Sequence, residues 1–213
     1  TSKYKGEVRM IAIIDYDMGN LHSVENALKK IDCACKITKD PKDLKQADKL
    51  ILPGVGAFPD CMKNLEESGL LEVLREEVLV NKKPLLGICL GMQALFEESE
   101  EGTPTKGLGF LKGKIVKMVE PNVKIPHIGW NLLEKNQDFA LFDQLSSQPF
   151  VYYVHSYYAQ GYEESDLVGY SCYGDLKIPG LLRHDNILGA QFHPEKSGED
   201  GLAILRYFKE EFV

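Results

Sequence analysis

The run Pro84-Leu85-Leu86-Gly87-Ile88-Cys89-Leu90-Gly91-Met92-Gln93 constrains the fold of this chain more than any other stretch. An apolar strand runs into a cysteine that has a glycine two positions away on either side. This is the pattern of a sharp strand-to-helix turn, too tight for a side chain at the flanking positions. Such a turn displays Cys89 as a nucleophile. The helix that follows would place free amides and a positive dipole end beside the sulfur, favouring thiolate over thiol and offering the Leu90 N–H to a developing oxyanion. A packed core thiol is the competing reading, because free cysteine is among the most buried residue types.

A second motif decides between them. Gly189-Ala190-Gln191-Phe192-His193-Pro194-Glu195 closes another apolar strand with a histidine and a carboxylate two positions apart. In extended backbone, residues i and i+2 point to one face, and a proline after His193 biases it away from helical dihedrals. Glu195 can then orient the imidazole. Cys89, His193 and Glu195 make a generalised triad, in which the imidazole takes the thiol proton and later returns one to a leaving group.

Around these motifs the chain reads as α/β. Strands are expected at 10–16, 36–38, 49–52 and 84–88, a helix at 21–30 and broken helices over 58–81. The continuous Val/Ile/Leu runs suit a parallel sheet covered on both faces. From residue 114 the rhythm changes to shorter strands, at 114–119, 150–159, 167–173, 179–183 and 187–192, before a closing helix at 199–211. Antiparallel additions to an open, mostly parallel sheet flanked by helices explain that change. The expected unit is one domain over 10–213, with residues 1–9 an expression remnant or flexible extension outside it. Loops at strand carboxyl ends, where open α/β sheets bind ligands, would hold Asp17, Gly54, Cys89 and His193.

Composition narrows the function classes. With 25 Lys plus Arg against 32 Asp plus Glu, the formal net charge is −7, which argues against a broad nucleic-acid or anionic-membrane surface. No apolar stretch approaches the length of a membrane span and no signal-peptide core is present, so a cytoplasmic location is expected. The cysteines at 33, 35, 61, 89 and 172 form neither a C-x-x-C pair nor a disulfide framework. His22, His127, His155 and His184 show no metal-ligand spacing, and the imidazole of His193 is needed for proton transfer, so no metal or cofactor is expected.

Gly54-Val55-Gly56 follows a strand but lacks the full G-x-G-x-x-G pattern and any G-K-[ST]. A plain turn or a backbone oxyanion donor fits better. Gln93 lies one helical turn after Cys89 and shares its face, so it either holds the polar end of a substrate or is a solvated helix residue. The Glu97–Glu101 run reads by itself as a solvated charge cluster, and residues 150–158 as a buried aromatic strand.

GICLGMQ with HPE downstream resembles the class I (triad) glutamine amidotransferases. Further segments, Asp15-Tyr16-Asp17-Met18-Gly19-Asn20-Leu21, Leu52-Pro53-Gly54-Val55-Gly56-Ala57-Phe58, Pro126-His127-Ile128-Gly129-Trp130-Asn131, Tyr152-Tyr153-Val154-His155-Ser156-Tyr157 and His193-Pro194-Glu195-Lys196-Ser197, resemble the branch of that family that feeds ammonia to a separate cyclase in histidine biosynthesis. The resemblance implies a flavodoxin-like fold, a glutaminase that works through a Cys89 thioester, and no cofactor. It implies a (β/α)8-barrel cyclase as partner in a heterodimer, with Asn20, Trp130, Tyr152 and Lys196 facing it. It also implies that Glu101 meets the glutamine α-ammonium, that backbone around His155, Ser156 and Tyr157 completes the pocket, and that the Gly54–Gly56 strand supplies a second oxyanion N–H. Val55 stands where relatives often carry a paired glycine, and implies a peptide whose N–H points away until it turns. Three alternatives stay open: a related subunit serving another synthase, another cysteine hydrolase such as a γ-glutamyl peptidase, and a non-enzymatic module on the same scaffold.

Overall fold

Residues 11–14 read Ile-Ala-Ile-Ile, and all four are buried, yet they serve two different cores. Alternation along a strand sends Ala12 and Ile14 to one face and Ile11 and Ile13 to the other. A sheet built of such strands must be covered on both sides. A computed structural model, which describes residues 8–213, has that layered form.

In chain order the elements are β1 (Ile11–Ile14), α1 (Leu21–Lys30), β2 (Cys35–Thr38), α2 (Pro41–Gln46), β3 (Lys49–Leu52), α3 (Phe58–Glu67), α4 (Leu71–Arg75), β4 (Leu85–Ile88) and α5 (Leu90–Gln93). There follow β5 (Glu98–Ser99), β6 (Thr105–Lys106), β7 (Lys114–Lys117), β8 (His127–Leu132), β9 (Glu134–Lys135), β10 (Phe150–His155) and β11 (Tyr157–Gln160). The chain closes with β12 (Leu167–Tyr173), β13 (Leu176–His184), β14 (Ile187–Ala190) and α6 (Gly198–Glu210). The main sheet has the order β2-β1-β3-β4-β14-β13-β12-β9. Its first five strands are parallel and the rest antiparallel. Residues of α3 and α4 line one core; residues of α1 and α6 line the other.

Strand order reverses at β1, so the loops after β1 and β3 leave the sheet edge in different directions and open a crevice between them. The loops remain close at their bases, since a Cβ on Gly19 would lie 3.3 Å from the Gly54 Cα. The turns after β4 and β14 open on the same edge.

Several expectations need correction. The segment 150–159 is not one strand. It breaks at Ser156 into β10, which pairs with β8 in a separate two-stranded ribbon, and β11, which pairs with β7 in a small sheet with β5 and β6. Of the expected later strands, β12 and β13 add to the main sheet antiparallel and β14 pairs parallel with β4, while the unexpected β9 forms the edge. β8 is absent from the sequence reading because Gly129, at φ 134°, and the mixed polarity of residues 127–132 blur its alternation. α2 is also unexpected. Its Asp40 side chain accepts from the Lys42 N–H and Pro41 opens the first turn, but six residues with only Leu44 buried give no periodicity to read. The helical stretch 58–81 breaks at Gly69, φ 73°, and ends in a π-helical turn over Glu76–Val80.

The expectation for residues 1–9 falls mainly on 1–7, which lie outside the described residues. Residues 8 and 9 are tied down: Val8 packs on a core, and the Arg9 and Met10 N–H groups both donate to the Asp48 carboxylate. Among the described residues no helix is long and apolar enough to cross a membrane.

Candidate active site

β4 delivers Cys89 at φ 53° and ψ −113°, a conformation that an L-residue holds only when its surroundings impose it. Those surroundings are backbone. The Cys89 N–H donates to Ala190 O at 2.7 Å, and the Cys89 carbonyl accepts from Gln93 N–H at 3.0 Å. A Cβ on Gly91 would lie 1.9 Å from the Leu52 carbonyl oxygen, and one on Gly87 would meet Met92 and Leu95 at 2.9 Å. Both glycines are therefore demanded by close approach, as the motif predicts. The helix behind the nucleophile is only the four residues of α5, so the expected dipole assistance is small. The positive charge nearest the sulfur belongs instead to the histidine.

The 3₁₀ turn Pro194–Lys196 follows β14 and starts directly after His193. The His193 ring is buried, and its Nδ1–H donates to Glu195 Oε1 at 2.7 Å. Among the described residues, buried Nε2 has no hydrogen-bond partner, and neither has Glu195 Oε2. Burial works against a charged His193, yet the neighbouring Cys89 and Glu195 outweigh it and push the imidazole up to about 10. An imidazolium is the favoured state of His193. The backbone around it is pinned. His193 N–H donates to Tyr152 O at 3.0 Å, Ser197 Oγ–H donates to His193 O at 2.6 Å, and Tyr152 N–H donates to Ser197 Oγ at 3.0 Å.

In the oxyanion cradle the Leu90 N–H departs from the expectation, while the Val55 peptide has the outward orientation that Val55 implied. The Leu90 N–H donates to the Gly54 carbonyl at 3.2 Å. In a trans peptide the carbonyl and the next N–H point opposite ways, so the Val55 N–H faces away from Cys89. One peptide orientation thus withdraws both expected donors. Gly56, at φ 115°, supplies the adjacent backbone freedom.

A cavity of about 440 Å³ opens over Cys89 and is lined by Val55, Gly56, Leu90, Gln93, Glu101, Pro126, Val154, His155, Ser156 and Tyr157. Every substrate residue expected from the sequence is therefore at one site. Gln93 is not a solvated helix residue: it is buried, and its Nε2 donates to Tyr157 O and to Gln191 Oε1, both at 3.0 Å. Glu101 is not part of an open charge cluster. Its Oε2 accepts from Phe58 N–H at 3.0 Å, and partial burial raises its carboxyl. His155 Nδ1–H donates to Tyr157 O at 2.8 Å, and its Nε2 accepts from His127 Nδ1–H at 2.9 Å. Burial drives His155 down to about 3, so this wall is neutral.

Two contributors were missed. Gln191 Nε2 lies 3.9 Å from Cys89 Sγ, and the sulfur itself approaches Val154 O at 3.8 Å. Gln191 stands two positions before His193, the same alternation that picked out Glu195. The Val154 carbonyl had no sequence signal, because any residue supplies one. Among the described residues no cluster of three or more His, Cys, Asp or Glu side chains is arranged to hold a metal ion, and all five cysteines are free.

Outside the cavity, the ribbon of β8 and β10 buries His127, Val151, Tyr153 and His155 and turns Ile128, Trp130 and Phe150 outward, 57%, 54% and 47% exposed. Trp130 is thus not a core residue. It pairs across the ribbon with Tyr152, ring centroids 6.0 Å apart. Lys196 is exposed on the turn after His193, and α1, which begins just after exposed Asn20, packs against that turn. The four interface candidates therefore border one side of the triad.

The glutamine amidotransferase class-I family model matches residues 12–211. The chain is 54% identical over 200 residues to the imidazole glycerol phosphate synthase subunit HisH of Bacillus cereus and to that of Bacillus thuringiensis, covering 94% of this chain and 94% of each relative. A crystal structure of a glutamine amidotransferase superposes with a TM-score of 0.74 at 23% identity, over 93% of this chain and 97% of the other. PurLQS from Thermotoga maritima gives 0.72 at 18%, over 94% and 97%. At such identities these two establish the shared fold.

Proposed function

The chain belongs to the class-I glutamine amidotransferases, and from that premise we infer that it is the glutaminase subunit of an imidazole glycerol phosphate synthase in histidine biosynthesis. It works with a cyclase subunit. The domain takes in the described residues from Val8 onward, and its biosynthetic role fits the cytoplasm. The observation that carries the chemical reading is the buried His193–Glu195 pair, whose unpartnered Nε2 lies beside the strained Cys89.

The Cys89 thiolate attacks the side-chain amide carbon of L-glutamine, and the C=O π electrons move to oxygen. As the tetrahedral intermediate collapses, imidazolium His193 protonates the departing nitrogen, releasing ammonia and leaving a thioester. The now neutral imidazole then takes a proton from water. The hydroxide adds to the acyl carbon, and the thiolate leaves with glutamate as product. Glu195 holds the ring tautomer throughout. Glu101 receives the α-ammonium, while Gln93 and the backbone of His155, Ser156 and Tyr157 shape the other walls.

The oxyanion needs donors that the resting arrangement withholds. Rotation of the Gly54–Val55 peptide frees the Leu90 N–H and turns the Val55 N–H inward in one movement. Partner binding at the Ile128, Trp130, Phe150 and Tyr152 face, with Asn20 and Lys196 at its margin, drives that rotation. The partner is a (β/α)8-barrel cyclase in a heterodimer, which receives the ammonia. The test is glutamate release from glutamine by the chain alone and with the cyclase and its nucleotide substrate, with Cys89→Ala as control. Weak Cys89-dependent turnover alone and strong turnover with the partner is the expected result. High basal turnover unchanged by the partner would remove the gated peptide, and turnover that survives Cys89→Ala would remove the triad.

A further inference from the structure

Tyr16 lies on the loop after β1, is buried at 1% exposure, and takes no part in the chemistry described above. Its hydroxyl donates to the carbonyl oxygen of Pro53 at 2.6 Å. The other neighbour of the hydroxyl is the Cys61 sulfur, 3.6 Å away on α3. A Cβ on Gly54 would come within 2.5 Å of the same hydroxyl oxygen. The phenol therefore reaches the chain immediately before the peptide that closes the oxyanion cradle. Two successive carbonyls are held in unlike ways, that of Pro53 by a short buried bond from a rigid side chain and that of Gly54 by a longer 3.2 Å bond from Leu90 N–H.

We propose that Tyr16 is a positioning residue for the oxyanion cradle, anchoring the Pro53–Gly54 peptide so that activation rotates the Gly54–Val55 peptide alone. The physical argument is one of degrees of freedom. Reversing a single peptide requires compensating changes in ψ of residue 54 and φ of residue 55, and leaves the flanking peptides in place only if they are held. Pro53 has its own φ limited by the ring, and the Tyr16 hydroxyl holds the carbonyl that follows. With both fixed, the Val55 N–H arrives at one place after the turn. Without the hydroxyl, the preceding peptide can share the rotation and the N–H lands over a spread of positions. Hydrogen-bond donors act on a developing oxyanion only within about 3 Å, and misplacement by about 1 Å can cost about a hundredfold in rate.

The inference rests on the reading of Cys89 as nucleophile and of residues 54–56 as the cradle, so its test separates the two. Tyr16→Phe keeps the ring and removes the one donor. With the cyclase and its nucleotide substrate present, kcat for glutamine hydrolysis is expected to fall ~10-fold or more, with KM for glutamine within about twofold, because the cavity walls are untouched. Alkylation of Cys89 by iodoacetamide, which needs no oxyanion donor, should keep its wild-type rate. Cys61→Ala leaves the Pro53 bond in place and should keep kcat. Partner-stimulated kcat within threefold of wild type in Tyr16→Phe would overturn the proposal. So would a parallel fall of kcat, alkylation rate and thermal midpoint, or a failure of that variant to fold, since each marks a general structural role. An equal loss in Cys61→Ala would overturn it too. Turnover persisting in Cys89→Ala would instead discredit the underlying site, whatever Tyr16 does.

Discussion

The two halves of the reaction centre are built to different standards of readiness. The backbone N–H and carbonyl groups of Cys89 and His193 are all hydrogen-bonded, the flanking glycines are forced by contacts below 3 Å, and the Nδ1–Oε1 bond is already 2.7 Å. Across the cavity, the Gly54 carbonyl accepts from Leu90 N–H at 3.2 Å, an orientation that on the proposed reading serves rest rather than turnover. On the proposed reading the nucleophile is thus set by folding, whereas the transition-state donors await a partner. A glutaminase whose ammonia is useful only to another subunit is well served by placing its control on the donors, because a withdrawn donor slows the chemical step without loosening the triad.

The sharpest way to break this contrast is to attack the preformed half. Cys89→Ala should abolish turnover, a loss of at least ~10³-fold with or without the cyclase, measured as glutamate release. Glu195→Gln keeps the size of the carboxylate but favours the wrong tautomer of His193; kcat should drop by ~10²–10⁴-fold in both settings, leaving the ratio of stimulated to basal rates near wild type. A changed ratio in that variant would mean that the two halves are not separable. On the unformed half, Trp130→Ala should leave the basal rate alone and weaken cyclase binding by ~10–100-fold, read by titration of the stimulated rate.

The smallest effect is on stability against pH. Folding raises His193 from 6.5 to about 10, so its stabilising contribution is complete below pH 6.5 and is lost as pH rises toward 10. His155 is lowered from 6.5 to about 3, so the unfolded chain takes up a proton that the folded one refuses, and stability declines as pH falls from 6.5 toward 3. Thermal midpoints should therefore peak near pH 6.5. Cys89→Ser, which removes the sulfur that helps raise His193, should flatten the alkaline limb and leave the acid limb unchanged.

Much of this was legible in the residues, and for local reasons. The elbow is a statement about Cβ atoms, so Gly87 and Gly91 announce it. The His193–Glu195 pair follows from alternation in extended backbone, and the same rule, pressed further, points to Gln191. Less was legible where contacts join distant segments. Gln93 was legible as a pocket-facing residue from its spacing to Cys89, but Glu101 by itself looked like a surface residue because residues 97–100 are polar; Tyr157 O, Gln191 and Phe58 N–H, which bond the two side chains, are remote along the chain. The break at Ser156 was hidden for the same reason, since only the separate pairing of β10 with β8 and β11 with β7 divides a continuous aromatic run.

The sequence by itself determined the α/β class and picked out the candidate nucleophile, base and orienter that the fold brings together, because those rest on backbone sterics and short-range periodicity that neighbouring residues carry in full. The tertiary structure decided which face of residues 127–132 is exposed, which walls close the cavity and which way the Gly54–Val55 peptide points. A peptide can turn over with little change in the path of the chain, so its direction is set by the groups packed around it, Leu90 and Tyr16, and those arrive there only when separate strands of the sheet come together.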